Sequence, residues 1–121
     1  MYPPIFEVCA ASTEVTALLG TDDTRIYPFG YVEDPDGLPY AVWQTVTGLP
    51  ENYLADRPDI DSWTLQIDIY AGSATGARNV AKALRDAIEP NAYVTRWGGE
   101  SRDPETKRHR YSFDVEWHVH R

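Results

Sequence analysis

His118 and His120 lie two residues apart near the end of the chain, and Asp114 and Glu116 precede them at the same spacing. On an extended strand, residues i and i+2 point to one face about 7 Å apart. Two imidazoles and two carboxylates on one face are the donor types a divalent cation takes. No cysteine or third suitably spaced histidine completes a set, and polar alternation along a solvated strand gives the same pattern without a metal. The solvated strand is the better reading.

Gly72-Ser73-Ala74-Thr75-Gly76 opens a helical stretch, and backbone amides at such a start can hold a phosphate. The Lys-Ser/Thr pair of a P-loop is missing, so helix capping by Ser73 accounts for the segment. The many carboxylates could supply an acid–base pair of the glycosidase kind. Most, however, fall in Pro-rich or Gly-rich loops, where solvated acids go. No Ser, Cys or His sits in a nucleophile motif. The expectation is a non-enzymatic protein with no cofactor and no essential metal.

Arg96, Trp97, Arg102, Lys107, Arg108, Arg110 and Tyr111 mix cations with aromatics, as single-strand-binding surfaces do. Residues 96–110 hold five bases against Glu100, Asp103 and Glu105, a small local excess. Core aromatics beside a solvated loop, or a protein partner, explain the segment better than nucleic acid. Trp43, Trp63, Trp97 and Trp117 are a heavy load for 121 residues. Most belong in a core, although tryptophan is also enriched at interface hot spots.

The elements that must hold these residues follow from periodicity. Pro3 and Pro4 suit the first turn of a helix, and Ile5, Val8 and Cys9 mark an apolar face. Ser12 or Thr13 can cap a second helix, in which Val15, Leu18 and Leu19 repeat that spacing and Gly20 is a left-handed terminator. Whether residues 4–19 form one bent helix or two stays open at this level. Arg25 to Phe29 is a short strand placed at an edge by Pro28. Glu33-Asp34-Pro35-Asp36-Gly37 is a turn. Tyr40 to Thr47 is a strand, and Gly48 to Asp61, with two prolines and four acids against one base, is expected to be a long exposed loop.

Trp63, Leu65, Ile67 and Ile69 alternate with Thr64, Gln66, Asp68 and Tyr70, a half-apolar strand. Ala77, Val80, Ala81, Leu84 and Ile88 form a helical stripe that Pro90 ends, with Arg78, Lys82, Arg85 and Glu89 towards water. Tyr93 to Trp97 is a strand, Gly98 to about Lys107 a polar loop. Tyr111, Phe113, Val115, Trp117 and Val119 then make a final amphipathic strand. The expected fold is α+β: a mainly antiparallel sheet of about five strands against N-terminal helices and one central amphipathic helix, in one domain spanning 1–121.

Composition agrees with that size and class. At 42% hydrophobic and 25% charged residues the chain is neither disordered nor membrane-spanning, and Met1-Tyr2-Pro3-Pro4 carries no secretory signal. The single cysteine, Cys9, cannot form an internal disulfide and reads as a small buried hydrophobe. The net charge of −8 disfavours nonspecific nucleic-acid binding. It is also uneven. Residues 1–70 hold 12 acids and 2 bases, and residues 71–121 hold 7 acids and 9 bases. Such asymmetry suggests an interaction surface.

Taken in order, Val15-Thr16-Ala17-Leu18-Leu19-Gly20, Arg25-Ile26-Tyr27-Pro28, Leu38-Pro39-Tyr40-Ala41-Val42-Trp43-Gln44, Pro50-Glu51-Asn52-Tyr53-Leu54, Leu65-Gln66-Ile67-Asp68-Ile69-Tyr70 and Arg110-Tyr111-Ser112-Phe113-Asp114-Val115-Glu116-Trp117 resemble the tail completion family of long-tailed bacteriophages. These are the tail-terminator or head–tail joining proteins. The resemblance implies a structural virion protein with a small α+β fold. It would form a homo-oligomeric ring, commonly of six subunits, on the head-proximal end of the tail tube, stopping polymerisation and meeting the head connector. It would work in the virion after assembly in the host cytoplasm. A head-side neck adaptor is the alternative, and a small nucleic-acid-binding module a more distant one.

The family has no motif for its contacts, so interface residues follow from charge and exposure. A closed ring needs two unlike, complementary patches on each subunit. Glu51, Asp56, Asp59 and Asp61 are one candidate, with Tyr53 and Leu54 as apolar anchors. Arg102, Lys107, Arg108 and Arg110 are the other, expected near the acidic loop of a neighbour.

Overall fold

The computed structural model of the chain describes residues 3–21, 24–29, 38–51, 60–104 and 107–120; for 47–51, 60 and 120 the description is of the backbone alone. The expected turn at Glu33 to Gly37 lies outside the described residues.

The N-terminal segment forms two helices, α1 (Ile5–Ala10) and α2 (Thr13–Leu19). Ser12 separates them because a cap needs extended backbone: its φ and ψ are −85° and 124°, and its Oγ accepts the Val15 amide at 3.3 Å. Gly20, at φ 112°, closes α2 by donating its amide to the Thr16 carbonyl at 2.9 Å.

The sheet is built from β1 (Ile26–Pro28), β2 (Tyr40–Glu51), β3 (Ile60–Ala71), β4 (Tyr93–Arg102) and β5 (His109–His120), in the spatial order β1-β2-β3-β5-β4. Only β1 and β2 run parallel; the other neighbours are antiparallel. This is the expected α+β class. The central pair β3 and β5 sets the register by placing apolar residues opposite one another: Leu65 by Val115, Ile67 by Phe113 and Ile69 by Tyr111. All six are buried.

The helix α3 (Ala74–Ile88) lies over β3 and β5, with α1 and α2 against it. Ser73 caps it by accepting the Gly76 amide at 3.0 Å. Its stripe of Ala77, Val80, Ala81, Leu84 and Ile88 meets the sheet, and Ile5, Cys9, Val15 and Leu19 complete the core from the N-terminal helices. Burial pushes the Cys9 thiol up to about 12, so it is the inert packing residue expected. Trp117 is in the core, whereas Trp43 and Trp63 pack against its rim.

Two expected loops are strand in part. Of Gly48 to Asp61, the two ends are paired: β2 continues to Glu51 and β3 starts at Ile60, with Gly48 opposite Trp63 and Pro50 opposite Asp61, while 52–59 lie outside the described residues. The run loses its β-branched composition after Thr47, yet the backbone stays paired because β3 offers a continuous antiparallel partner. An outer strand can carry Pro50, whose missing amide donor can face away from the partner. The register shifts between Thr45 and Thr47.

Gly98 to Arg102 likewise belongs to β4. The glycines mark irregularities, not a turn: pairing with β5 slips between Val94 and Arg96 and again between Arg96 and Gly99. Gly98 has φ 90°. A Cβ on Gly99 would lie 3.0 Å from the Ser112 carbonyl oxygen.

Candidate functional site

The helices cover one face of the sheet, so the other is presented outward. Strand alternation puts Ser62, Thr64, Gln66, Asp68 and Tyr70 of β3 on it, beside Arg110, Ser112, Asp114, Glu116 and His118 of β5. This face is polar and tightly cross-linked. Arg110 Nη2 donates to Asp68 Oδ1 at 3.0 Å, and Gln66 Nε2 donates to the same oxygen at 3.2 Å. Arg96 from β4 grips Asp114 through Nε and Nη2, at 2.9 and 3.0 Å, and Nη2 also reaches Ser112 Oγ at 2.7 Å. Tyr40 and Tyr70 stack with centroids 5.1 Å apart, and Arg108 Nη1 donates to the Tyr40 hydroxyl at 3.1 Å.

The histidine–carboxylate set has a use in this network. Ser62 Oγ donates to Glu116 Oε1 at 2.8 Å, and His118 Nε2 lies 3.1 Å from the same oxygen. The Ser62 hydrogen bond, followed by that of His118, holds the Glu116 carboxyl below the usual carboxylate range. Asp114 is engaged by Arg96. Among the described residues no group of three His, Cys, Asp or Glu is placed to hold a metal.

On the helix-covered side, β4 is fastened to α3. Arg78 and Glu100 form a two-armed ion pair, with Nη2 to Oε2 at 3.0 Å, and this hydrogen bonding draws the Glu100 carboxyl below its ordinary value. Arg85 stacks on Trp97. The helix's basic side, expected to face water, thus serves partly as a clamp on the strand. Beside the α3 N-terminus a recess of about 180 Å³ is lined by Ala74, Ala77, Ser101, Arg102, His109 and Tyr111. It is smaller than the roughly 300–1,000 Å³ typical of small-molecule sites.

The described members of the expected interface set fall at two opposite ends of the sheet. Glu51 ends β2 and Asp61 is the second residue of β3. Tyr53, Leu54, Asp56 and Asp59 lie between them, outside the described residues. Arg102 closes β4, and Arg110 is the second residue of β5, with Lys107 and Arg108 just before that strand. Twelve-residue strands span about 40 Å at ~3.3 Å per residue. Asp61, opposite Val119, therefore stands far along the sheet from Arg110, opposite Tyr70. Of the four cations, Arg110 is bound to Asp68 and Arg108 to Tyr40, while Arg102 and Lys107 are exposed.

Charge counting missed the apolar residues left outside the core. Phe29, Val46 and Tyr93 are 72, 52 and 67% exposed, and Trp97 is 40% exposed. Phe29 and Val46 flank the outer side of β2, and Tyr93 and Trp97 lie on β4. All four lie on segments expected to be strands; what the sequence did not show is that β4 and the outer side of β2 end the described sheet.

A wider, open hollow of about 500 Å³ lies between the N-terminal helices and the end of α3, lined by Glu7, Val8, Ala11, Ser12, Asp86 and Asn91. The family model of tail completion protein gp17 matches residues 3–120, and the chain belongs to that family. It is thus a structural bacteriophage virion protein, placed in the tail at the head–tail junction. Among solved structures, a chain described as part of the virion of a native gene transfer agent (GTA) particle is similar, with a TM-score of 0.63 and 14% identity. The match covers 97% of this chain and 92% of that one. At that identity the likeness concerns the fold. No curated protein matches the chain. No helix among the described residues is long and apolar enough to cross a membrane.

Proposed function

We propose that copies of this chain close into a ring, of six subunits as the commonest count, on the head-proximal end of the tail tube. The ring ends tube polymerisation and presents its other rim to the head connector, without catalysis. Membership of the tail completion family supports the position in the virion. The observation that carries the two-rimmed reading is the separation of charge along the strands. The Glu51 backbone and Asp61 lie at one end of the sheet, and Arg102, Lys107, Arg108 and Arg110 at the other.

Copies related by rotation, with strands running from rim to rim, put all acidic ends on one rim and all basic ends on the other. Each rim then suits a different partner, and complementary charge sets orientation and encounter rate. The test is to mix the labelled protein with purified tail tubes and with portal complexes, and to image both. Ring-shaped density at one tube end supports the reading. Binding to portal complexes with bare tube ends would instead make it a head-side adaptor.

A further inference from the structure

The sheet has two unlike open edges. On one side β1 covers β2 only at Ala41, Val42 and Trp43. From Gln44 to Glu51 no strand among the described residues pairs with the outer side of β2. On the other side β4 ends the sheet, and no strand among the described residues pairs with its outer side from Tyr93 to Arg102.

A long open edge invites strand pairing, and stable monomers blunt theirs with charge, proline or shortness. The stretch Gln44-Thr45-Val46-Thr47-Gly48-Leu49 contains no charge and no proline; Pro50 and Glu51 come only at its end. β4 begins with Tyr93-Val94-Thr95, good strand formers, and its Arg96 is turned onto the sheet face by Asp114. Exposed apolar side chains accompany both edges: Phe29 and Val46 on one side, Tyr93 and Trp97 on the other.

We infer that, in the ring proposed above and resting on that reading, β2 of one copy pairs with β4 of the next, making one sheet continuous across each subunit joint. The occupant of each edge is a second copy of this chain. Direction agrees with this. β2 and β5 run one way and β3 and β4 the other, so copies facing the same way bring β2 against β4 antiparallel. The two edges differ, and a joint between unlike patches propagates around an axis until it closes. Backbone hydrogen bonds supply the adhesion, as in strand addition generally, and the flanking Phe29, Val46, Tyr93 and Trp97 lose water at the joint.

Disulfide trapping on assembled tube ends tests this, because the native Cys9 is buried with 0% exposure and stays silent. Val46→Cys is combined in one chain with Tyr93→Cys, Thr95→Cys or Ser101→Cys in turn. Paired strands lie about 4.8 Å apart, so at least one combination should oxidise to a ladder of covalent multimers, while each single variant stops at dimers. Val46→Lys should keep the wild-type melting temperature and lower ring occupancy of tube ends by roughly tenfold or more. If wild-type rings are seen but no combination gives a ladder and Val46→Lys assembles normally, the strand joint is wrong and the ring stands. If wild-type protein shows no ring on tube ends, the ring reading fails and takes this joint with it.

Discussion

The Arg85 guanidinium carbon sits 4.6 Å from the centre of the Trp97 ring, joining α3 to the outermost strand. Trp97 in turn leans on Tyr111 and Phe113, with centroids 5.1 and 5.2 Å away. A half-exposed tryptophan on an edge strand is thus a lid over the end of the core. Trp97→Ala should cost about 1–3 kcal/mol, less than a fully buried aromatic. Arg85→Ala should cost about 0.5–1 kcal/mol, the range of a partly exposed cation–π contact. Urea denaturation of the two variants and their double mutant would show the coupling as a sub-additive sum.

Leu84 of α3 and Ile67 of β3 belong to the same buried core, both at 0% exposure. Leu84→Ala and Ile67→Ala should each lower stability by about 2–5 kcal/mol. Losses under about 0.5 kcal/mol, the surface range, would mean that the assigned faces are inverted.

These buried residues were also the part most legible in the sequence. Strict alternation over 63–70 and 111–119 and the stripe from Ala77 to Ile88 have a single burial solution, so strand, helix and facing side followed directly. What stayed hidden was strand continuation where composition no longer signals it. Gly48 and Pro50, or Gly98 and Gly99, read locally as loop, yet a long partner strand holds their backbone in the ladder. Charge counting did not show that Asp68 already occupies Arg110.

Glu116 and Glu100 give the stability an acid limb. Both are held below their ordinary range, Glu116 by Ser62 and then His118, Glu100 by Arg78. A carboxyl depressed on folding binds fewer protons folded than unfolded, so stability rises with pH across that range. Its contribution is complete above the unfolded value of about 4.3 and is lost as pH falls through the lower folded value. Melting temperature should be insensitive to these groups from pH 6 to 8 and should fall below about pH 4. Ser62→Ala and Arg78→Ala should each flatten that decline.

Charge reversal separates the two rims. Asp56→Lys with Asp59→Lys should weaken binding to one axial partner, and Arg102→Glu with Lys107→Glu should weaken binding to the other. Arg102 and Lys107 are the better choices because both are exposed, whereas reversing Arg110 would strand Asp68. If the combined reversal restores ring formation that the acidic reversal alone abolishes, the acidic segment of one copy meets the basic end of its neighbour, and the charges serve the subunit joint instead of the rims.

The most direct measurement is tube length. Tail-tube subunits are polymerised in vitro from capped and uncapped seeds, and growth at the head-proximal end is followed by electron microscopy. Seeds preincubated with this protein should keep their starting length, with ring density on the end that would otherwise grow. Continued elongation from ends that carry the protein would contradict its role as the tube's terminator.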